Sequence, residues 1–407
     1  MLVTRVEQHI LKKSHPYYRM LLNFCRKSKN LYNHANYEVR QYYISEGKYL
    51  DYYTLDKVMK RDLDFPDYRL MPSAVCAQQT LRLLDKSWKS FFESIKDWKK
   101  NPSKYTGMPK LPGYKPKDGY FPIILTNQAA RLKGDRIVFP KTFLGLEIKP
   151  QCIHKENYVS YQQVRFIPRV NHIVAEIVYK LQTCEVLPDN GRHLGIDLGF
   201  DNFATVVNNF GEGSFVLNGK HLKAINQWYN KLKSGYQSVA MTSNNKHVTN
   251  RIHRITCKRN RKINDLMHKM TRYILDYAQE NNVTKIVVGY NKGWKNGCNL
   301  GKRNNQTFTH LPFARFIEML KYKAEELGIE IISNEESFTS GTSFIDGEEP
   351  IRANYDKRRR KYRGLFVSND NIEINADVNG AYQILSKVFP IKWDSRCALH
   401  PVIVTVT

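Results

Sequence analysis

Apolar and polar positions alternate along MLVTRVEQHIL and predict a strand at the start of the chain. The period then changes. RMLLNFCRKSKNLYNHANYEVRQYYISEG and SAVCAQQTLRLLDKSWKSFFESIKDWKKN carry apolar residues at three- and four-residue steps and predict long amphipathic helices. In the second, Leu81, Leu84, Trp88, Phe91, Phe92 and Ile95 form the core-facing stripe, and lysines and an arginine fill the other face. From Pro102 the texture becomes rich in Pro, Gly and Lys, as in a linker. The short β-type runs YFPIILTNQ, ARLKGDRIVFP, LGLEIKP, YQQVRFIPRV and HIVAEIVYKL follow. Their turn-punctuated spacing predicts a small barrel that includes the first strand, with the helical segment inserted into it.

A third pattern begins near Leu194. LGIDLG, NFATVVNN and GSFVLNG predict an antiparallel run of strands. A helical region from Lys220 to Asn281 follows, with a polar break near TSNNKH. Next come a strand (TKIVVGY), a helix (FTHLPFARFIEMLKYKAEELG), a strand (IEIISNEES) and a last helix (INADVNGAYQILSKV). Antiparallel strands first, then strands alternating with helices, is the order of an RNase H-like fold. The chain therefore reads as a multidomain α+β protein. A barrel domain takes residues 1–13 and 102–190, a helical domain 14–101, an RNase H-like α/β domain 191–389, and an unassigned tail 390–407.

Charge narrows the partners. The 407 residues hold 64 Lys and Arg against 38 Asp and Glu, a net charge of +26. With 25 Tyr and 19 Phe beside that surplus, the composition suits a nucleic acid, whose phosphates attract cations and whose unpaired bases stack on aromatics. The seven cysteines are scattered without a CxxC pair, which predicts neither a disulfide framework nor a zinc ribbon and suits a reducing compartment. No apolar run is long enough to cross a membrane, and the first residues lack a signal-peptide pattern.

The candidate chemistry lies in carboxylates. Asp197 sits inside the strand GIDLG, where desolvation is costly unless something compensates it. Asp377 stands where the last helix begins; read alone, it could be an ordinary helix cap. An RNase H-like nuclease needs a third acid near the end of a later strand. In KIVVGY that position is Gly289, which has no side chain. Glu335 and Glu336, at the end of the neighbouring strand, can reach across the roughly 4.8 Å between strands into the space Gly289 leaves. Adjacent residues point to opposite faces, so periodicity does not choose between them, and Glu336 is the weakly favoured one. Such a set would hold two Mg²⁺ ions, which prefer oxygen ligands, and Mn²⁺ could substitute. Two basic segments are candidates for phosphate contact. One is Arg251, Arg254, Lys258, Arg259 and Arg261 in a predicted helix; the other is the run Lys357, Arg358, Arg359, Arg360 and Lys361.

HLGIDLGFDNFATVVNN, KIVVGYNKGWK, EESFTSGTSF and INADVNGAYQIL together resemble the RuvC-like domain of the TnpB family, transposon-encoded RNA-guided DNA nucleases similar to type V CRISPR effectors. KSKNLYNHANYEVR, AQQTLRLLDKSWKSFF and ILTNQAARLKGDRIVFP are similar to that family's recognition and wedge segments. The resemblance implies a helical recognition lobe inserted in a β-barrel wedge domain, followed by a RuvC nuclease domain. It also implies a noncoding guide RNA, a double-stranded DNA target beside a short motif, a single site cutting both strands, a monomer per RNA and a prokaryotic, nucleoid-associated location in the cytoplasm. Tyr17, Tyr18, Tyr32 and Tyr37 become candidates near the target-adjacent motif.

The chain departs from the family pattern twice. The segment between the last strand and last helix has no cysteine, with Ser343 and Asp346 where the first pair would stand, so no zinc is expected. The acid missing at Gly289 matches a subgroup with a displaced glutamate, and leaves open a nuclease-dead descendant that binds DNA and represses transcription. GIDLG before a hairpin also opens actin-like ATPases, but a second Asp-Gly phosphate loop and a Gly-rich adenosine motif are not found.

Overall fold

The computed structural model describes residues 1–199, 201–245, 247–291, 311–362 and 364–406. The GWK that follows Tyr290, and Cys298, lie outside them. The chain divides into two compact units, Leu2–Gln182 and Met1 with Thr183–Thr407.

In the first unit, strand β1 (Leu2–Lys12) precedes helices α1 (Tyr18–Glu46), α2 (Tyr52–Arg61) and α3 (Ala74–Lys100). The strands β2 (Ile123–Thr126), β3 (Arg131–Lys133), β4 (Arg136–Val138), β5 (Glu147–Ile148), β6 (Tyr158–Arg169) and β7 (His172–Gln182) follow. They form two antiparallel sheets, ordered β1-β7-β6-β2 and β3-β4-β5. The expected barrel thus takes the form of two sheets; among the described residues no ladder joins β1 to β2. β7 is buried along nearly its whole length, and β1 and β6 pair with its two edges. Its one buried acid, Glu176, is matched across both ladders, by Arg165 at 2.9 Å and Gln8 at 3.1 Å. The predicted stripe of α3 is core, with Leu81, Leu84 and Trp88 fully buried. The Trp88 indole donates to Asn36 of α1 at 3.0 Å, as a buried N–H requires.

The second unit is built on a six-stranded sheet. Its strands are β8 (His193–Asp197), β9 (Asn202–Asn208), β10 (Phe215–Asn218), β11 (Lys285–Gly289) and β12 (Glu330–Asn334). After them come β13 (Arg360–Tyr362), β14 (Leu365–Val367) and β15 (Glu373–Asn375), which make a separate small sheet, and β16 (Val402–Val404). The large sheet has the order β12-β11-β8-β9-β10-β16. β8, β9 and β10 are antiparallel, whereas β11 runs parallel to β8 and β12 parallel to β11. The tail that carried no assignment supplies β16, parallel to β10.

Helices α4 (Lys220–Asn244), α5 (Asn250–Glu280) and α6 (Phe313–Glu326) stand between strands, and the break between α4 and α5 falls in the predicted polar stretch. Alternation along the strands divides the core. Leu194, Ile196, Ile286 and Val288 pack with residues of α5 and α6 on one face. Val207 and Val287 pack with α7 (Ala376–Ser386) on the other. α7 crosses β8 directly over Gly195. A Cβ there would stand 2.7 Å from the Ala381 carbonyl oxygen and 2.8 Å from Leu385 Cβ, so no other residue permits this approach. Among the described residues, no helix is long and apolar enough to cross a membrane.

Candidate carboxylate site and its surroundings

Asp197 ends β8, on the α7 face shared with Gly195. The register places Val288 of β11 beside Ile196, so Gly289 lies in the row of Asp197; Gly289 in turn pairs with Asn334 of β12. Two residues beyond Asn334 on the same face comes Glu336. The sheet register thereby supplies the parity that the sequence lacked. A Cβ at Gly289 would lie 2.9 Å from Glu336 Oε2 and 2.5 Å from Ile384 Cδ1, so the glycine vacates the place this carboxylate enters. Glu335 is exposed and turned away, and accepts from Ser337 Oγ at 2.5 Å.

Asp377 lies in the first turn of α7. The cap of this helix is Asn375, whose side chain accepts from the Asp377 and Val378 amides at 3.0 and 3.2 Å. Asp377 is therefore not spent as a cap. Its carboxylate accepts from Asn202 Nδ2 at 2.6 Å and from Arg360 at 3.4 Å. Gly380, one turn on, brings the helix within reach of Asp197, since a Cβ there would be 3.1 Å from Asp197 Oδ2.

Asp197 lies in the field of the other two acids. Burial, then the charges of Asp377 and Glu336, hold the Asp197 carboxyl well above its ordinary value, against a smaller opposing effect of Arg360. Burial pushes Glu336 up to about 7, against the field of Lys387. Among the described residues, Glu336 Oε2 is buried without a hydrogen-bond partner. Lys387 fixes the surrounding backbone by donating to the carbonyls of Glu335 and Ser337 at 3.0 and 2.7 Å.

Among the described residues, no three His, Cys, Asp or Glu side chains are gathered closely enough to hold a metal ion as they stand. Asp377 is engaged by Asn202 and Arg360. The donor chemistry nonetheless fits a hard divalent cation. Every donor is a carboxylate oxygen, one is buried and has no hydrogen-bond partner among the described residues, and the Asp197 carboxyl is raised by burial and by the charges of the other two.

The basic segments are only partly available for phosphates. Arg251, Arg254, Lys258 and Arg261 are exposed on α5, but Arg259 is half-buried, donating to Asn226 Oδ1 at 2.8 Å. In the second run Lys357 and Lys361 are exposed and Arg358 pairs with Asp356 at 3.1 Å. Arg359 contacts Glu348 at 2.7 Å and Asp346 at 3.6 Å, and Arg360 turns to Asp377. Ser343 and Asp346 thus belong to a polar clasp centred on Arg359. The Ser343 amide donates to Glu348 at 2.9 Å, and the Asp346 amide to Ser343 Oγ at 3.2 Å. In the first unit Tyr18 and Tyr32 are core, whereas Tyr37 is half exposed.

Asn202, Gly195, Gly380 and Lys387 escaped the sequence reading. A signal existed for the glycines: Gly195 is two residues before Asp197 on a strand, and Gly380 three after Asp377 on a helix, so each shares its acid's face. Nothing marked Asn202 or Lys387.

Residues 176–295 match a family model described as OrfB_IS605, probable transposase. Residues 313–384 match one described as Cas12f1-like, TNB domain. The chain is TnpB-like. Among solved structures it is similar to a cryo-EM structure of a Cas12f1–sgRNA–target DNA complex. The TM-score is 0.57 at 15% identity, covering 90% of this chain and 82% of that one, a likeness of fold. A cryo-EM structure of a CRISPR-Cas12f ternary complex aligns at TM-score 0.38 and 14% identity, covering 90% and 80%. No curated protein matches the chain.

Proposed function

We propose that this chain is the RNA-guided DNA endonuclease of a transposable element. It binds a noncoding guide RNA, reads a short motif beside its target and cleaves double-stranded DNA at one RNase H-like (RuvC) site. The observation that carries this reading is Glu336 Oε2, buried and unpartnered in the space above Gly289 and in the field of Asp197. The strand order β10-β9-β8-β11-β12, with three antiparallel and two parallel members, supports the RNase H-like assignment. The matches to a transposase family and the likeness to a guide-RNA and target-DNA complex support the partners. Residues 1–13 and 102–190 are the wedge, 14–101 the recognition lobe and 191–389 the nuclease, acting as one chain per RNA.

Asp197, Glu336 and Asp377 are the residues that would hold two Mg²⁺ ions. Metal bound there would supply charge neutralisation at a scissile phosphate and a lowered pKa for an attacking water. Asn202 and Arg360 orient Asp377. Lys387 holds the backbone on both sides of Glu336. Arg360 sets a cation beside acids that must otherwise repel an incoming phosphate. Arg251, Arg254, Lys258 and Arg261, with Lys357 and Lys361, track the sugar–phosphate backbone. The segment before α7 needs no zinc, because Arg359 holds it together through Asp346 and Glu348.

Asp197→Ala and Asp377→Ala test the reading. Each abolishes cutting of a guide-matched plasmid in Mg²⁺ and leaves guide-dependent retention of that plasmid unchanged. Cutting at the wild-type rate by either variant overturns the site.

A further inference from the structure

Between Lys220 and Lys262 the chain carries eleven Lys and Arg and no Asp or Glu. This stretch includes α4 and the first half of α5. The two helices run in opposite senses, and cations of α5 lie over aromatic rings of α4. The Arg251 guanidinium is 4.2 Å from the Tyr236 ring centroid and that of Arg259 is 5.5 Å from Tyr229. Lys258 and Lys262 stand 5.5 and 6.0 Å from Trp228. Tyr229 and Trp228 differ in their surroundings. Tyr229 is buried, and its hydroxyl is within 3.1 Å of Thr256 Oγ1. Trp228 is 37% exposed, and the buried cluster takes Leu222 and Ile225 from the same helix instead.

The Trp228 indole remains partly accessible to solvent. Two ammonium groups at an accessible aromatic ring, in a stretch without acids, match the two halves of a nucleotide. The ring can stack on any base, and the lysines can neutralise the phosphates on either side of it. Lysine stems are flexible, so each ammonium can move from ring to phosphate as a base takes its place.

We propose that Trp228 is a stacking platform for one unpaired base of a single-stranded nucleic acid, with Lys258 and Lys262 on the flanking phosphates. This deepens the function proposed above and rests on it for the source of the strand, the guide RNA or the displaced DNA strand. The contact itself is independent of cutting.

The test uses the full chain without guide, in EDTA, with fluorescein-labelled (dT)12, (rU)12, an abasic 12-mer and a 12-base-pair duplex, by anisotropy over a salt series. Trp228→Ala and Trp228→Leu weaken binding of (dT)12 or (rU)12 about 5- to 150-fold, with the salt slope unchanged. Trp228→Phe binds within about threefold of wild type. Lys258→Gln and Lys262→Gln each lower the salt slope by about 0.7 on single strands. The larger Trp228-dependent loss names the source, RNA for (rU)12 and DNA for (dT)12. Wild-type affinity in Trp228→Leu overturns the proposal, since it would reduce Trp228 to packing. So would an equal loss on the abasic oligomer, or a loss confined to the duplex. Melting curves of each variant establish that the fold is kept. Failure here leaves the cleavage reading standing, and loss of cutting without loss of this contact leaves the platform standing.

Discussion

Gly289→Ala separates the two consequences of leaving that position bare. The added methyl would meet Ile384 Cδ1 at 2.5 Å and Glu336 Oε2 at 2.9 Å, where carbon–carbon contacts settle near 3.5–4.0 Å. Ile384, on α7, is 1% exposed, so it yields only by disturbing its neighbours. Overpacking of this kind costs about 1–3 kcal/mol. At about 2–4 °C per kcal/mol for a unit of this size, the melting temperature of the second unit falls by about 2–12 °C. Glu336 meets the methyl with the far end of its side chain. It swings away at little cost in stability, but leaves the acid cluster. A displacement near 1 Å in a catalytic group lowers rate about 100-fold. The double variant Gly289→Ala, Ile384→Val removes Cδ1 and regains much of the stability, while cutting stays low because the methyl still faces Oε2. Thermal melts and guide-dependent plasmid cleavage read the two effects separately. Wild-type melting and wild-type cutting in Gly289→Ala would refute the reasoning. Full recovery of cutting in the double variant would show that Glu336 does not work from this place.

Three further outcomes follow from the same geometry. Glu336→Gln abolishes cleavage whereas Glu335→Gln keeps it within a fewfold, measured as single-turnover rates; equal rates in both variants would remove the displaced acid. In chelator, stability falls as pH rises from about 4.5 to about 7 and then levels. The unfolded chain ionises Glu336 near 4.5, whereas the fold keeps it protonated to about 7, so the unfolded state releases its proton first. The Glu336 share of that fall is at most about 3 kcal/mol and is missing from urea titrations of Glu336→Gln. Arg359→Ala leaves Asp346 and Glu348 facing each other without their cation, with side chains only 9% and 17% exposed. It destabilises the segment before α7 by about 1–3 kcal/mol, seen as faster hydrogen exchange at the Ser343 and Asp346 amides.

Much of this site was legible as chemistry before it was legible as geometry. Asp197 stood out because a strand interior rarely holds an acid, and Asp377 because of its place before a run of helix formers. The helical break after α4 was marked by a polar stretch that cannot extend an apolar stripe. The choice between Glu335 and Glu336 was not legible, because parity at a strand's end depends on register with β11, which only pairing fixes. Nor was the division of labour within Lys357–Lys361. A run of cations reads alike along the chain, yet Arg359 and Arg360 are turned inward by acids at Asp346, Glu348 and Asp377, all of them distant in sequence. β16 is three residues long and takes its order from the edge of β10, so its own pattern was too short to announce it. Trp228 is spaced like any core aromatic of an amphipathic helix; its exposure appears only once Leu222 and Ile225 have defined the buried side.

Cleavage itself is the most direct test. The purified complex of this chain with its noncoding RNA is incubated in Mg²⁺ with plasmids carrying a guide-matched target beside randomised flanks, and the ends are sequenced. The account predicts cut ends next to one short motif with wild-type protein, and none with Asp197→Ala or in EDTA. Plasmid retained in a guide-dependent way yet left intact by wild-type protein would contradict it, and would make this chain a programmable DNA binder with a silent site.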